Sequence, residues 1–310
     1  MQTLLEIIKQ AIANGDSAVY LLAGRPVTFK RGAAYHTDDS KILLPRDTER
    51  LMAEAYNMAG RMQPSLKNGC DDQFALSVPG FSRLRVTAFS QRNSCALAVR
   101  TLPFTLPEPE TFHIPAEVMQ LSHRTEGLIL VCGPSESGKS TTLTCLLNAI
   151  NRERACHILT LENPIEYLIP NKNSFLLQRE LLLDTADIAC GLRTAAALAP
   201  DVLYVSDADD RAAYPALLRT ADTGCLVLAG LRAGSPASAI LSILNNFTGG
   251  ERRQNASLLS QVLQVLVFQR LEHGENGLTP VFHLIEPDRA LRLSIESGDA
   301  ATIRSALPDA

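Results

Sequence analysis

G-L-I-L-V-C-G-P-S-E-S-G-K-S-T-T, from Gly127 to Thr142, joins an apolar run to a glycine turn and then to a helical pattern. Leu128 to Cys132 reads as a buried strand that stops at Gly133. Gly133, four intervening residues and Gly138-Lys139-Ser140 then form the phosphate-binding P-loop pattern, in the strand–loop–helix setting that gives the motif its meaning. A glycine-rich turn lets backbone N–H groups point inward at a polyphosphate. Lys139 is placed to reach the β- and γ-phosphates of ATP, and the Ser140 hydroxyl to hold Mg²⁺. The helix expected over 139–153 aims its positive end at the same anion. The candidate nucleotide contacts are therefore Gly133, Pro134, Ser135, Glu136, Ser137, Gly138, Lys139, Ser140 and Thr141. An ordinary glycine turn is the plainer account, and the flanking strand and helix argue against it.

Outward from this loop the chain alternates apolar strands with helices, the pattern of an α/β domain with a parallel-rich sheet. Strands are expected at 128–132, 157–161, 202–206 and 226–231, and helices at 139–153, 186–198, 211–222, 236–245 and 252–268. Ligands of open α/β sheets bind at strand ends, and three such ends carry polar residues. Glu162 and Glu166 follow the strand H-I-L-T-L, as candidates for holding Mg²⁺ through water or aligning an attacking water. Asp207 ends D-V-L-Y-V-S-D, the form of a Walker B strand, where it would accept a proton from, or orient, the water that attacks the γ-phosphate. Arg232 ends C-L-V-L-A-G-L-R, as a phosphate sensor or a surface cation in equal measure.

Residues 1–102 read as a smaller α+β domain. A helical stripe of Leu4, Leu5, Ile7, Ile8 and Ile12 is followed by short alternating strands around a helix at 45–60. The last two strands, R-L-R-V-T-A-F and C-A-L-A-V-R-T, present a wet face with Arg83, Arg85 and Arg100. That face is either a solvated surface or a basic one meant for an anion. Prolines 103, 107, 109 and 115 mark a stiff linker over 103–115, and the second domain runs over 116–310.

Composition narrows the function. With 46% hydrophobic and 20% charged residues the chain is globular rather than disordered. A net charge of −4 speaks against broad nucleic-acid binding. No apolar run approaches bilayer length, and the amphipathic N-terminus with Glu6 is not a signal peptide. The seven cysteines form no C-x-x-C pair, which argues for reduced thiols, a cytoplasmic location and no zinc site. Cys132, Cys145, Cys156, Cys190 and Cys225 read as small core residues.

The chain resembles the PilT family, retraction motors of type IV pili within the secretion-ATPase superfamily. The resemblance rests on F-A-L-S-V-P-G-F-S-R-L-R-V-T-A-F, the P-loop stretch, H-I-L-T-L-E-N-P-I-E-Y, L-L-Q-R-E at 176–180, A-P-D-V-L-Y-V and A-D-T-G-C-L-V-L. These blocks occur in family order over nearly the whole length. The resemblance implies a PAS-like first domain and a RecA-like P-loop domain, assembled as a homo-hexameric ring with nucleotide bound between the domains. It implies that Arg85 and Arg100 reach the phosphates. It further implies hydrolysis of ATP to drive pilus retraction, for twitching motility or DNA uptake. The partner would be a pilus platform protein, with the motor peripheral at the inner face of the cell membrane, alongside a paralogous motor ATPase. The absence of the four-cysteine zinc motif of assembly-type relatives favours the retraction type.

The departures from the family pattern lie at the chemistry. Glu136 stands where the family has glycine, Asn163 where it has aspartate, Asp207 where it has glutamate and Asp209 where it has arginine. Cys225 and Arg232 replace the two histidines of the His box. Ala197 and Ala199 replace an arginine and an acid. Aspartate in place of glutamate draws the carboxylate back by about 1 to 1.5 Å, and a misplacement of about an ångström costs on the order of a hundredfold in rate. The expectation is weakened ATP turnover; the competing reading is an inactive nucleotide-binding paralogue that regulates a true motor. A small-molecule kinase fits poorly, because nothing in the first domain reads as an acceptor pocket.

Overall fold

The computed structural model describes residues 2–32, 34–38, 41–63, 71–78, 82–102, 106–208, 213–274 and 277–308. It divides into two compact units, Met1–Thr105 with Pro164–Leu168, and Leu106–Asn163 with Ile169–Ala310.

In the first unit α1 (Leu4–Ala13) starts at a capping box in which Thr3 and Glu6 satisfy each other's backbone N–H groups. Its Leu4, Ile7, Ile8 and Ala11 are buried, as the helical spacing requires. The strands are β1 (Ala18–Leu22), β2 (Thr28–Arg31) and β3 (Ala34–Thr37), then, after α2 (Pro45–Met58), β4 (Asp72–Val78), β5 (Ser82–Gln91) and β6 (Ser94–Leu102). They form one antiparallel sheet in the order β3-β2-β1-β6-β5-β4. Alternate residues Val19, Leu21, Phe74, Leu76, Leu84, Val86 and Val99 share a core with Leu51, Met52, Ala55 and Tyr56 of α2. Strand β3 lies outside the sequence expectations because all four of its residues are exposed, so no apolar alternation marks it.

The second unit opens with α3 (Ala116–Met119), β7 (Gly127–Gly133), α4 (Lys139–Glu153), β8 (His157–Glu162) and β9 (Phe175–Glu180). It continues with α5 (Ile188–Leu198), β10 (Val202–Val205), α6 (Tyr214–Asp222), β11 (Leu226–Arg232), α7 (Pro236–Leu244) and α8 (Gly249–Val262). It ends with β12 (Leu263–Gly274), β13 (Gly277–Ile285), α9 (Arg289–Ser297) and α10 (Ala300–Ser305). The sheet order is β13-β12-β7-β11-β10-β8-β9, parallel throughout except for the β12–β13 hairpin. This is the expected α/β fold with a largely parallel sheet.

Every residue of β7 is buried. Leu128, Leu130 and Cys132 face one apolar layer together with α5, α6, α7 and α8, while Ile129 and Val131 face the other with Leu143, Leu146 and Ile150 of α4. Covering both faces is what turns such strands into unbroken apolar runs. Within the proline-rich segment, Ile114 is buried in this second layer and the Pro107 carbonyl accepts a hydrogen bond from the Cys145 thiol. Residues 103–105 lie outside the described residues.

The helix expected over 252–268 is corrected: it ends at Val262, and the chain runs directly into β12. Leu263, Val265, Leu266, Val267 and Phe268 are all buried in the sheet between β7 and β13. An apolar run without alternation suits a buried strand as well as a buried helix, so periodicity alone could not separate them. Among the described residues no helix is long and apolar enough to cross a membrane.

Candidate functional site

The P-loop is built by three elements of the second unit. Strand β7 delivers Gly133, the loop turns through residues 134–138, and α4 begins at Lys139. Gly138 caps the helix with φ +89°, a left-handed conformation that glycine adopts without penalty. The Thr142 amide donates to the Gly138 carbonyl, so the amides before it are those a helix leaves without internal acceptors. Ser140 and Thr141 stand in that first turn, half-buried.

The Lys139 ammonium donates to the carbonyl oxygens of Gly133 at 3.1 Å and Pro134 at 2.6 Å. It also stands 3.5 Å from Ser137 Oγ. The loop thus curls around its own lysine. A Cβ on Gly133 would lie 1.9 Å from the Gln269 carbonyl oxygen of β12, and one on Gly138 would lie 2.8 Å from Gln269 Nε2. Both glycines therefore sit hard against β12, with no room for a side chain on that side of the loop. Replacing Gly133 by alanine is therefore expected to cost about 3 kcal/mol or more, because β7 and β12 are paired and neither backbone can retreat. Denaturant unfolding of the Gly133→Ala variant measures this.

Glu136 takes φ +62° with its side chain exposed. A non-glycine residue in this left-handed conformation costs about 1–2 kcal/mol.

Asp207 and Arg232, read separately from the sequence, meet here. Arg232 Nη2 lies 2.7 Å from Asp207 Oδ2. The parallel registers explain the meeting: Val205 pairs with Ala229, so both chains leave the sheet at the same end. Arg232 also stands opposite Gly133 in the β11–β7 ladder, and the Ala233 amide donates to the Gly133 carbonyl at 3.1 Å. The guanidinium is therefore placed at the edge of the P-loop with its charge directed to the Asp207 carboxylate. Asp209 lies outside the described residues. Cys225 is buried just before β11, and burial pushes its thiol up to about 12, so it is neutral.

The two glutamates of the acidic segment part company. Glu162 is buried at the end of β8, where its carboxylate accepts from Thr160 Oγ1 at 2.7 Å and from Gln178 Nε2 at 3.0 Å. Glu166 belongs to the first unit, where it pairs with Arg85 Nη2 at 2.8 Å. Arg85 stands directly opposite Arg100 across β5 and β6. Asn163 is exposed, and its amide donates to Ser206 Oγ at 3.3 Å.

One residue that sequence reading passed over completes the loop. Gln269 is 3% exposed, donates from Nε2 to the Ser137 carbonyl and accepts from Thr142 Oγ1, both at 2.8 Å. The signal was a single amide closing the apolar run V-L-V-F-Q, hidden by reading that run as helix.

The comparisons with known proteins agree with this geometry. The family model described as Type II/IV secretion system protein matches residues 84–291. The chain is 34% identical over 279 residues to a twitching motility protein of Neisseria gonorrhoeae, covering 88% of this chain and 74% of that one. It is 37% identical over 289 residues to the uncharacterized protein YggR of Escherichia coli K12, covering 90% of this chain and 85% of that one. A crystal structure of the pilus retraction motor PilT with bound ADP superposes with a TM-score of 0.87 at 35% identity, over 99% of this chain and 89% of that one. Matched over most of its length in sequence and in backbone, the chain belongs to the type II/IV secretion system protein family, among its PilT and twitching-motility members.

Proposed function

We propose that this protein is a nucleotide-binding motor subunit of the pilus-retraction type, with weakened ATP turnover. The observation that carries the reading is the loop from Gly133 to Lys139, closed around an ammonium at the head of α4. The pilus retraction motor that binds ADP superposes on this chain with a TM-score of 0.87. Bound ATP would supply the phosphoanhydride whose hydrolysis drives movement. Lys139 and the amides of residues 137–141 would hold its phosphates, and the Ser140 hydroxyl would take one position on Mg²⁺. Arg85 and Arg100 are the first domain's candidates for phosphate contact: two like charges set opposite each other suit an anion that neutralises both. Glu162 and Glu166 are candidates for ordering water or Mg²⁺, each presently held by its own partners.

The second reading is a regulatory paralogue that binds nucleotide without appreciable turnover. The Asp207–Arg232 ion pair favours it, because a carboxylate oxygen already engaged by a guanidinium has to be released before it can orient a water. On either reading the chain would work as a ring of identical subunits on a pilus platform at the cytoplasmic face of the membrane. Native mass measurement of the purified protein with and without ATP tests the ring. Hexamers are expected with nucleotide, a monomer under all conditions removes the ring common to both readings, and steady-state phosphate release by the purified protein separates motor from paralogue.

A further inference from the structure

We infer that Gln269 is a positioning residue for nucleotide binding: its amide fixes the shape of the phosphate loop from a strand that carries none of the motif. The inference rests on the nucleotide-binding reading above. The Gln269 side chain spans the bend and the helix at once, donating to the Ser137 carbonyl and accepting from the Thr142 hydroxyl, at 2.8 Å each. Both partners are buried, Ser137 at 2% and Thr142 at 0% exposure, so neither bond is exchanged for water without cost. The backbone of the same residue touches the third part of the loop. Its carbonyl oxygen would be 1.9 Å from a Cβ on Gly133, and Gly138 is open to its amide only for want of a side chain.

One residue therefore meets the entry, the bend and the first helical turn of the loop. Its main chain is fixed by the ladder with β13, where it pairs with Phe282. The Ser137 carbonyl decides which way the following peptide faces. With that oxygen held by Gln269, the next amides are committed to the outer side, where a phosphate would sit. Without it, the Ser137–Gly138 peptide can turn over, and the amide array that should face the anion is populated only part of the time. Apparent affinity falls by that fraction. An apolar side chain of equal length would fill the space and leave the loop without its template.

The test uses the full-length protein and three variants: Gln269→Met, Thr142→Val and the double variant. Binding of a fluorescent ATP analogue is measured with Mg²⁺ at fixed salt, and the midpoint of unfolding without nucleotide is measured in parallel. Gln269→Met is expected to bind about tenfold to a hundredfold more weakly than wild type, with a lowered midpoint because the Thr142 hydroxyl and the Ser137 carbonyl both lose their partner. In the double variant the hydroxyl is gone, so the midpoint should recover in part while the affinity stays low. That split is the signature of a positioning role. Wild-type affinity in Gln269→Met, or affinity that recovers together with the midpoint in the double variant, overturns the inference. Failure of the wild-type chain to bind the probe overturns the nucleotide-binding reading instead, so the two failures are distinguishable.

Discussion

Replacing Lys139 by alanine is expected to weaken ATP binding by about a hundredfold or more, because charge-assisted hydrogen bonds to phosphate are each worth roughly 1.5–3 kcal/mol and the ammonium can reach two phosphates. The present geometry explains why no neighbour can substitute. Lys139 already bridges the Gly133 and Pro134 carbonyls, so its charge sits at the centre of the loop rather than on a mobile surface chain. Those carbonyls lose only one donor each in the variant, and Gly133 O keeps the Ala233 amide at 3.1 Å. The fold should therefore stay intact, with a melting midpoint close to wild type. Fluorescence anisotropy of labelled ATP, run with Mg²⁺ and at constant salt, measures the loss. Undiminished binding by Lys139→Ala would place the nucleotide elsewhere in the molecule.

The second large effect concerns turnover. Asp207→Glu combined with Arg232→His is expected to raise ATP hydrolysis by about a hundredfold over wild type, the scale of rate recovered when a misplaced catalytic group is returned by an ångström. Each change removes a separate obstacle. The added methylene advances the carboxylate by about 1 to 1.5 Å toward the position a glutamate would hold. Removing the guanidinium breaks the 2.7 Å pair that engages this carboxylate. Asp207→Glu alone should give little, because the longer side chain still meets Arg232. Arg232→His alone should also give little, because the freed carboxylate remains short. The pair of changes should therefore exceed the sum of its parts, as expected for residues in direct contact. Steady-state phosphate release from the four proteins decides the matter. Additive small effects, or a wild type that already turns over rapidly, would remove the ion pair as the cause of weak catalysis.

Much of this site could be read from residues close together in the chain. The P-loop is local: strand, glycines, lysine and helix occupy 16 consecutive positions from Gly127 to Thr142, and glycine chemistry dictates their conformation. The strands β7, β8, β10 and β11 were visible because burial on both faces leaves apolar runs of strand length between turn residues. Strand β12 was not, because L-Q-V-L-V-F-Q continues an apolar pattern straight from α8 without a turn residue to mark the change. What decides its conformation is the vacancy beside β7 in the sheet, a tertiary fact.

The roles of individual side chains divide in the same way. Sequence alone determined that this chain carries an anion-binding loop on a parallel α/β sheet, with polar residues at the strand ends, since those features depend on spacing within one element and its neighbours. Only the folded structure decided which of these residues act on one another. Asp207 and Arg232 are 25 residues apart and Gln269 is 132 residues from Ser137. Pairing across a sheet brings such positions together through hydrogen-bond register, which no local pattern encodes. The Asp207–Arg232 pair and the Gln269 contacts with the loop are therefore properties of the sheet's strand order.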